Sequence, residues 1–194
     1  IQKLLAGEET SVPTYNFILG KKEYKNKIKM NKEDILLIEG IHALNDYLTS
    51  SIPKHQKFKI YIAPQIQINL DNHNPISLTD IRLLRRIVRD KKYRNTSAEK
   101  TLEMWASVRR GEFKWIYPHQ EGANFVFNSE LTYELGVMKK YALPALQAIP
   151  DDHPHAITAN RLIKFLKYFK DIDDKWVPCN SLLREFIGGS CFHD

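Results

Sequence analysis

The chain has 194 residues, of which 43% are hydrophobic and 27% charged, enough for one well-buried domain and short for two independent ones. Its 29 Lys and Arg against 23 Asp and Glu leave a net charge of +6, too mild for a dedicated nucleic-acid binder and suited to a protein that handles anionic small molecules. No run approaches the roughly 18 uninterrupted apolar residues of a membrane-spanning helix, and two late cysteines, Cys179 and Cys191, without metal-ligand spacing, point to a reducing, cytoplasmic setting rather than a disulfide framework.

In chain order, Ile1, Leu4 and Leu5 followed by Gly7 read as the end of an amphipathic helix, and a start without Met reads as an N-terminally truncated piece of something longer. Pro13-Thr14-Tyr15-Asn16-Phe17 predicts a loop or edge strand. The spacing of Tyr15 and Phe17 favours core packing, one ring buried and one at the edge, over stacking on a base. Asp34-Ile35-Leu36-Leu37-Ile38-Glu39-Gly40 has the pattern of a strand buried on both faces of a parallel sheet, with Glu39 emerging at the carboxyl edge where such sheets bind ligands. An acid there either holds Mg²⁺ or caps the helix that follows. Residues 43–49 suggest a short helix, and Phe58 to Ala63 and Ala123 to Phe127 suggest two further strands. Strands separated by helical stretches define an α/β fold.

Asp80 to Arg94 carries the most information. At about 100° per residue, Leu83, Leu84, Ile87 and Val88 fall on one arc and Arg82, Arg85, Arg86 and Arg89 on the opposite one. Thr79 or Asp80 is placed to cap this helix. Lys and Glu normally share an exposed face, whereas guanidinium forks suit phosphate oxygens. Ion pairs with Asp80 and Asp90 would account for one or two of the arginines. A second helix is expected from Ser97 to Arg110, stopped by Gly111.

A long helix is expected over 129–146, kinked or ended by Pro144. Asp151 to His155 reads as a loop, in which His153 and His155 are more readily solvated than metal-bound. An apolar helix with Leu162, Phe165 and Leu166 follows, and then a short helical pattern before Gly188-Gly189. The sequence contains no nucleophile elbow and no Cys-His signature. It also lacks the phosphate loop Gly-x-x-x-x-Gly-Lys-Ser/Thr; Gly20-Lys21-Lys22 is the nearest approach and fails it.

Taken in order, the Tyr15-Asn16-Phe17 motif, the Ile35 to His42 segment and the Arg-Leu-x-Arg-Arg-x-x-Arg-Asp run from Arg82 to Asp90 resemble the uridine kinase and phosphoribulokinase family of P-loop kinases, over about Ser11 to Ile149. The Arg-Glu-Phe-Ile-Gly-Gly-Ser ending is similar to a bacterial uridine kinase-like subgroup often joined to a threonyl-tRNA synthetase-like module. Asn16 stands where the family usually has Asp, and Gly20 stands near the place of its histidine.

The resemblance implies an α/β fold that is part of a P-loop NTPase, a parallel sheet with flanking helices lacking its N-terminal strand and phosphate loop. It places the C-terminal part of the kinase domain in residues 1–150, with a lid at about 77–111, and a helical appendage at 151–194. It further implies an ATP- and Mg²⁺-dependent nucleoside kinase acting on a sugar hydroxyl, with this piece inactive alone. Glu39 would be the Mg²⁺-linked acid, Tyr15 and Phe17 would line the nucleoside pocket, Arg82 and Arg85 would face the acceptor and the transferred phosphoryl group, and Arg89 and Arg94 would belong to the lid. Expected partners are ATP and the acceptor, with no membrane; association of identical chains is left open. The alternatives are a kinase of another small hydroxyl compound and a non-catalytic RNA-associated module.

Overall fold

The structure, a computed structural model, describes residues 1–16, 19–65 and 68–192. It divides into two compact units, the first formed by residues 1–59 and 112–123 and the second by 60–111 and 124–194.

The first unit opens with α1 (Gln2–Leu5). As its sequence suggests, Gly7 closes it in the left-handed region, at φ 76°, with the Gly7 and Glu8 amides donating back to Leu4 and Lys3. Strands β1 (Thr10–Asn16) and β2 (Lys21–Ile28) form an antiparallel hairpin. Pro13 has no N–H to donate, and the register shifts there, between Val12 and Thr14. Gly20, at φ 63°, makes the turn, and the Leu19 amide donates to Asn16 Oδ1 at 3.0 Å.

The strand expected at Asp34 to Gly40 is not formed. Residues 34–39 carry no regular structure, and Ile35 and Leu37 are 93% and 84% exposed. A strand needs a hydrogen-bonded neighbour, and among the described residues the only sheets are β1–β2 and one other two-stranded pair. The short helix at 43–49 appears as a 3₁₀ turn, Asp46–Thr49, capped by Asn45. Lys57 donates to the Thr49 carbonyl at 2.9 Å, and Lys59 pairs with Asp46 at 2.5 Å. His42 meets Trp115 edge-on, with centroids 5.1 Å apart.

In the second unit, β3 (Ile60–Ala63) and β4 (Phe125–Asn128) run parallel, Ile60 opposite Phe125 and Ala63 opposite Asn128. Helix α2 (Leu78–Tyr93) is capped by Ser77, two to three residues before the expected Thr79 or Asp80, its side chain accepting from the Asp80 amide. Helix α3 (Ala98–Trp115) runs through Gly111, because the good helix formers that follow carry it on; its last residues, from Glu112, belong to the first unit. Helix α4 (Glu134–Gln147) starts later than its hydrophobic pattern does and absorbs Pro144 in its final turn, where only one hydrogen bond is lost. Helices α5 (Ala156–Leu166) and α6 (Arg184–Ile187) follow the sequence pattern.

The core lies between these helices. Ile81, Leu84 and Ile87 of α2, Met138 and Val137 of α4 and Leu162 of α5 have no solvent-exposed surface. Truncating any of the larger ones to Ala would cost about 2–5 kcal/mol. Gly136 permits a close approach: a Cβ there would lie 2.7 Å from the Lys170 carbonyl oxygen, and its own carbonyl accepts from Ile172 at 3.2 Å.

Candidate active site

Helix α2 is more deeply buried than a two-faced helix, and the arginines divide accordingly. Arg85 lies four residues after Ile81 and three before Val88, both buried, and it turns inward with them; it is 8% exposed. Its Nη2 donates to Glu134 Oε2 at 2.5 Å and to the Ser129 carbonyl at 2.6 Å, Nη1 to Ser129 Oγ at 3.1 Å, and Nε to Glu134 Oε1 at 3.3 Å. Burial pushes the Glu134 carboxyl up, against the pull of the Arg85 charge. Arg85 was expected to face the acceptor, but every nitrogen of its guanidinium is engaged inside the unit.

Asp90 is the second internal anchor. It is 1% exposed, accepts from Arg94 Nη1 at 2.8 Å and from the Thr101 hydroxyl at 3.3 Å, and forms an ion pair with Arg86, whose Nε lies 3.1 Å away. Burial lowers the pKa of the Arg86 guanidinium, partly offset by Asp90. Arg94, expected in a lid, is here half-buried against Asp90 at the C-terminal end of α2. The ion-pair alternative thus accounts for Arg86 and Arg94.

Arg82 and Arg89 remain on the outer stripe, both half-buried. Arg89 Nη1 pairs with Glu185 at 2.8 Å, and its guanidinium lies 5.9 Å from the Phe186 ring centre; that of Arg85 lies 5.2 Å from the same ring. Sequence periodicity could not reveal that α6 lies against this stripe. The alternation of Arg and Glu in Arg184-Glu185 was the one available signal.

In the first unit, Tyr15 sits on β1 opposite Lys22 and is 50% exposed, which suits the edge ring of the expected pair. Phe17 lies outside the described residues. Glu39 is exposed and follows irregular chain rather than ending a strand, and Gly40, at φ 139°, turns the chain into a short bend whose Ala43 amide donates back to Gly40. Among the described residues no three His, Cys, Asp or Glu side chains cluster as a metal site. The rings of His153 and His155 stand 5.7 Å apart in a turn. No helix among the described residues is long and apolar enough to cross a membrane.

A small parallel sheet flanked by helices, together with an arginine-rich helix, fits an α/β phosphate-handling protein. Residues 1–135 match the phosphoribulokinase / uridine kinase family, and the chain belongs to that family of kinases. Similar proteins include the uridine kinase of Bacillus pumilus, 26% identical over 110 residues, covering 57% of this chain and 44% of the relative. That of Streptococcus gordonii is 27% identical over 127 residues, 65% and 52% respectively, and that of Geobacillus kaustophilus is 28% identical over 110 residues, 57% and 44%. The chain spans about half the length of these curated relatives. No solved structure matches it.

Proposed function

We propose that the chain is part of an ATP-dependent kinase that transfers a γ-phosphoryl group to a sugar hydroxyl of a nucleoside, with uridine the first candidate acceptor. The observation that carries this is the outer stripe of α2, where Arg82 and Arg89 lie half-buried on a helix held by the buried Arg85–Glu134 pair and by the pairs of Arg86 with Asp90 and Arg161 with Asp80. Phosphoryl transfer depends on positioning and electrostatic stabilisation rather than on a protein nucleophile. In this reading Arg82 and Arg89 bind phosphate oxygens, and Arg85 acts as a positioning residue that fixes α2 against α4. Arg94 steadies the end of the lid segment 77–111.

Mg²⁺ bound with ATP would supply neutralising charge to the phosphates. Glu39 is the residue that would hold it. A single exposed carboxylate fits an ion that keeps most of its waters and takes one or two carboxylates beside the phosphates. Tyr15, exposed on β1, offers a face for the nucleoside base, and Phe17 shares that role in the family motif. Residues 1–150 supply the kinase portion, downstream of a phosphate loop, and 151–194 form a helical extension. The two-stranded parallel sheet supports a share in a larger one. Ile62 and Phe125 are 63% and 53% exposed, although parallel sheets are normally covered on both faces.

The test is phosphorylation of uridine, cytidine and other small hydroxyl compounds by the native protein that carries this chain, with magnesium and ATP. Labelled nucleoside monophosphate is the expected product. A phosphorylated non-nucleoside acceptor alone would change the substrate, and no transfer to any acceptor would overturn the reading.

A second reading, an RNA-associated module, draws on the β1–β2 hairpin, where Lys21, Lys22 and Lys27 are exposed beside Tyr15 and Tyr24. It requires RNA affinity that falls steeply with salt.

A further inference from the structure

We propose that Cys179 and Cys191 form a reversible disulfide that closes the C-terminal loop around α6. The sequence sets this up with two adjacent glycines: Gly188, at φ 85°, and Gly189, at φ 75°, occupy the left-handed region and reverse the chain after α6. The returning segment places the Cys191 amide 3.0 Å from the Cys179 carbonyl, which accepts its hydrogen bond. The neighbouring Cys179 thiol pushes the Cys191 thiol pKa up, and both residues are exposed. A disulfide asks for Cα atoms about 4.4–6.8 Å apart, and the backbone bond between the two residues keeps their main chains close enough for that approach.

One side chain holds the two arms of the loop in place. Arg184 donates to the carbonyls of Asp174 at 2.9 Å, Val177 at 2.5 Å and Pro178 at 3.4 Å on the outgoing arm, and to that of Gly188 at 3.2 Å on the returning one. A Cβ on Gly189 would sit 3.3 Å from Arg184 Nη1, so the turn is closed down on the guanidinium. The cysteines are therefore brought together before any bond forms, and closing the ring asks for little further ordering.

The oxidant is a low-molecular-weight disulfide such as glutathione disulfide. The thiolate of one cysteine attacks it, forming a mixed disulfide and releasing one glutathione thiolate. The other cysteine, deprotonated, then attacks the protein sulfur and releases the second glutathione. Two protein thiols are oxidised to one disulfide, and one glutathione disulfide is reduced to two glutathiones. The closed ring contains α6, whose Glu185 and Phe186 cover Arg89 and whose Ile187 carbonyl accepts from Lys92 at 2.5 Å. Oxidation would hold that cover on the stripe of α2, and reduction would let it lift. This consequence for phosphate binding rests on the function proposed above; the bond itself does not.

The experiment equilibrates the 194-residue chain in glutathione buffers from reducing to oxidising, traps free thiols with iodoacetamide and weighs the intact protein. The expected oxidised species is a monomer lacking two hydrogens and taking up no label, in which the amides of Phe186 to Gly188 exchange about tenfold or more slowly than in the reduced chain. Cys179→Ser and Cys191→Ser should each retain one labelled thiol. Arg184→Gln, which unties the arms, should need about tenfold more oxidising conditions to reach the same oxidised fraction. Label uptake by both cysteines in every buffer overturns the proposal. So do glutathione adducts or covalent dimers in place of the internal bond. None of these readouts involves a nucleotide, so failure of the bond and failure of the kinase reading are distinguishable.

Discussion

Arg161 of α5 donates from both Nη atoms to the carboxylate of Asp80 in the first turn of α2, at 2.5 and 2.8 Å. Asp80 is 6% exposed and its charge favours the N-terminus of the helix, while the hydrogen bonds to it raise the pKa of Arg161. The pair ties the arginine helix to the C-terminal extension. Arg161→Ala leaves a buried carboxylate alone and should cost about 2 kcal/mol in urea unfolding, a moderate figure because Arg161 is half in solvent. Adding Asp80→Asn should recover part of the loss; a fully additive double variant would show that the two residues do not interact.

The Arg85–Glu134 pair makes a sharper prediction. Glu134→Gln should destabilise the chain by about 3 kcal/mol, because it strands a buried guanidinium, whereas Arg85→Met with Glu134→Leu should lie near the parent. Arg85→Lys cannot span both Glu134 and Ser129, so its loss should appear in the unfolding midpoint. A large loss of kcat with an unchanged midpoint would instead put Arg85 on the reacting phosphoryl group.

Arg82→Lys and Arg89→Lys test the outer stripe. A point charge cannot reproduce a fork, and in the native kinase kcat/KM should fall by about 10² for a group stabilising the transferred phosphoryl. Stability should change by under about 1 kcal/mol, the range of exposed pairs such as Arg89–Glu185. Arg86→Lys, held to Asp90 beneath the surface, serves as the control that should leave the rate alone.

The Tyr141 hydroxyl donates to Asp174, which also takes Lys140 at 3.0 Å. These bonds hold the Asp174 carboxyl down at about 2, while burial and the neighbouring carboxylate push the Tyr141 phenol up to about 12. A depressed carboxyl contributes stability that is present above its unfolded value near 4 and is lost as pH falls toward 2. A raised phenol contributes stability present below about 10 and lost as pH rises toward 12. Tyr141→Phe should cost about 1 kcal/mol at neutral pH. Melting curves should show the gap to wild type narrowing toward both extremes; a constant gap would mean the bond contributes nothing.

The chain on its own should transfer no phosphoryl group from ATP, because its 194 residues encode no loop of backbone amides with a lysine to cradle the β- and γ-phosphates. Magnesium-dependent turnover by the purified chain would refute this.

Local chemistry made the helices and turns legible. Gly7 and the Gly188-Gly189 pair suit left-handed turns that only glycine adopts cheaply, and the spacing of Leu83, Leu84, Ile87 and Val88 marks the buried side of α2. Misreadings arose where the outcome depended on distant chain. Ile35 to Ile38 has the composition of a buried strand, but composition cannot supply a hydrogen-bonded neighbour. Gly111 looks like a helix stop, yet the residues after it outweigh its propensity. Arg85 lies at the border of the polar arc, and only the presence of Glu134, far along the chain, decides that it turns inward. The candidate site was legible as residue types on one helix, while the division between internal anchors and outer forks was not.

The pairing of β3 with β4 also constrains the order in which the molecule assembles. The hairpin β1–β2 joins near neighbours and needs only a short loop to close, so it forms early. Ile60 must wait for Phe125, and both units are discontinuous in the chain, each interrupted by a piece of the other. During synthesis neither unit is complete until residues beyond 111 have emerged, and α2 must spend that interval without α4 to cover Ile81, Leu84 and Ile87. The nascent chain is therefore most exposed to aggregation and to chaperones between the emergence of α2 and that of α4.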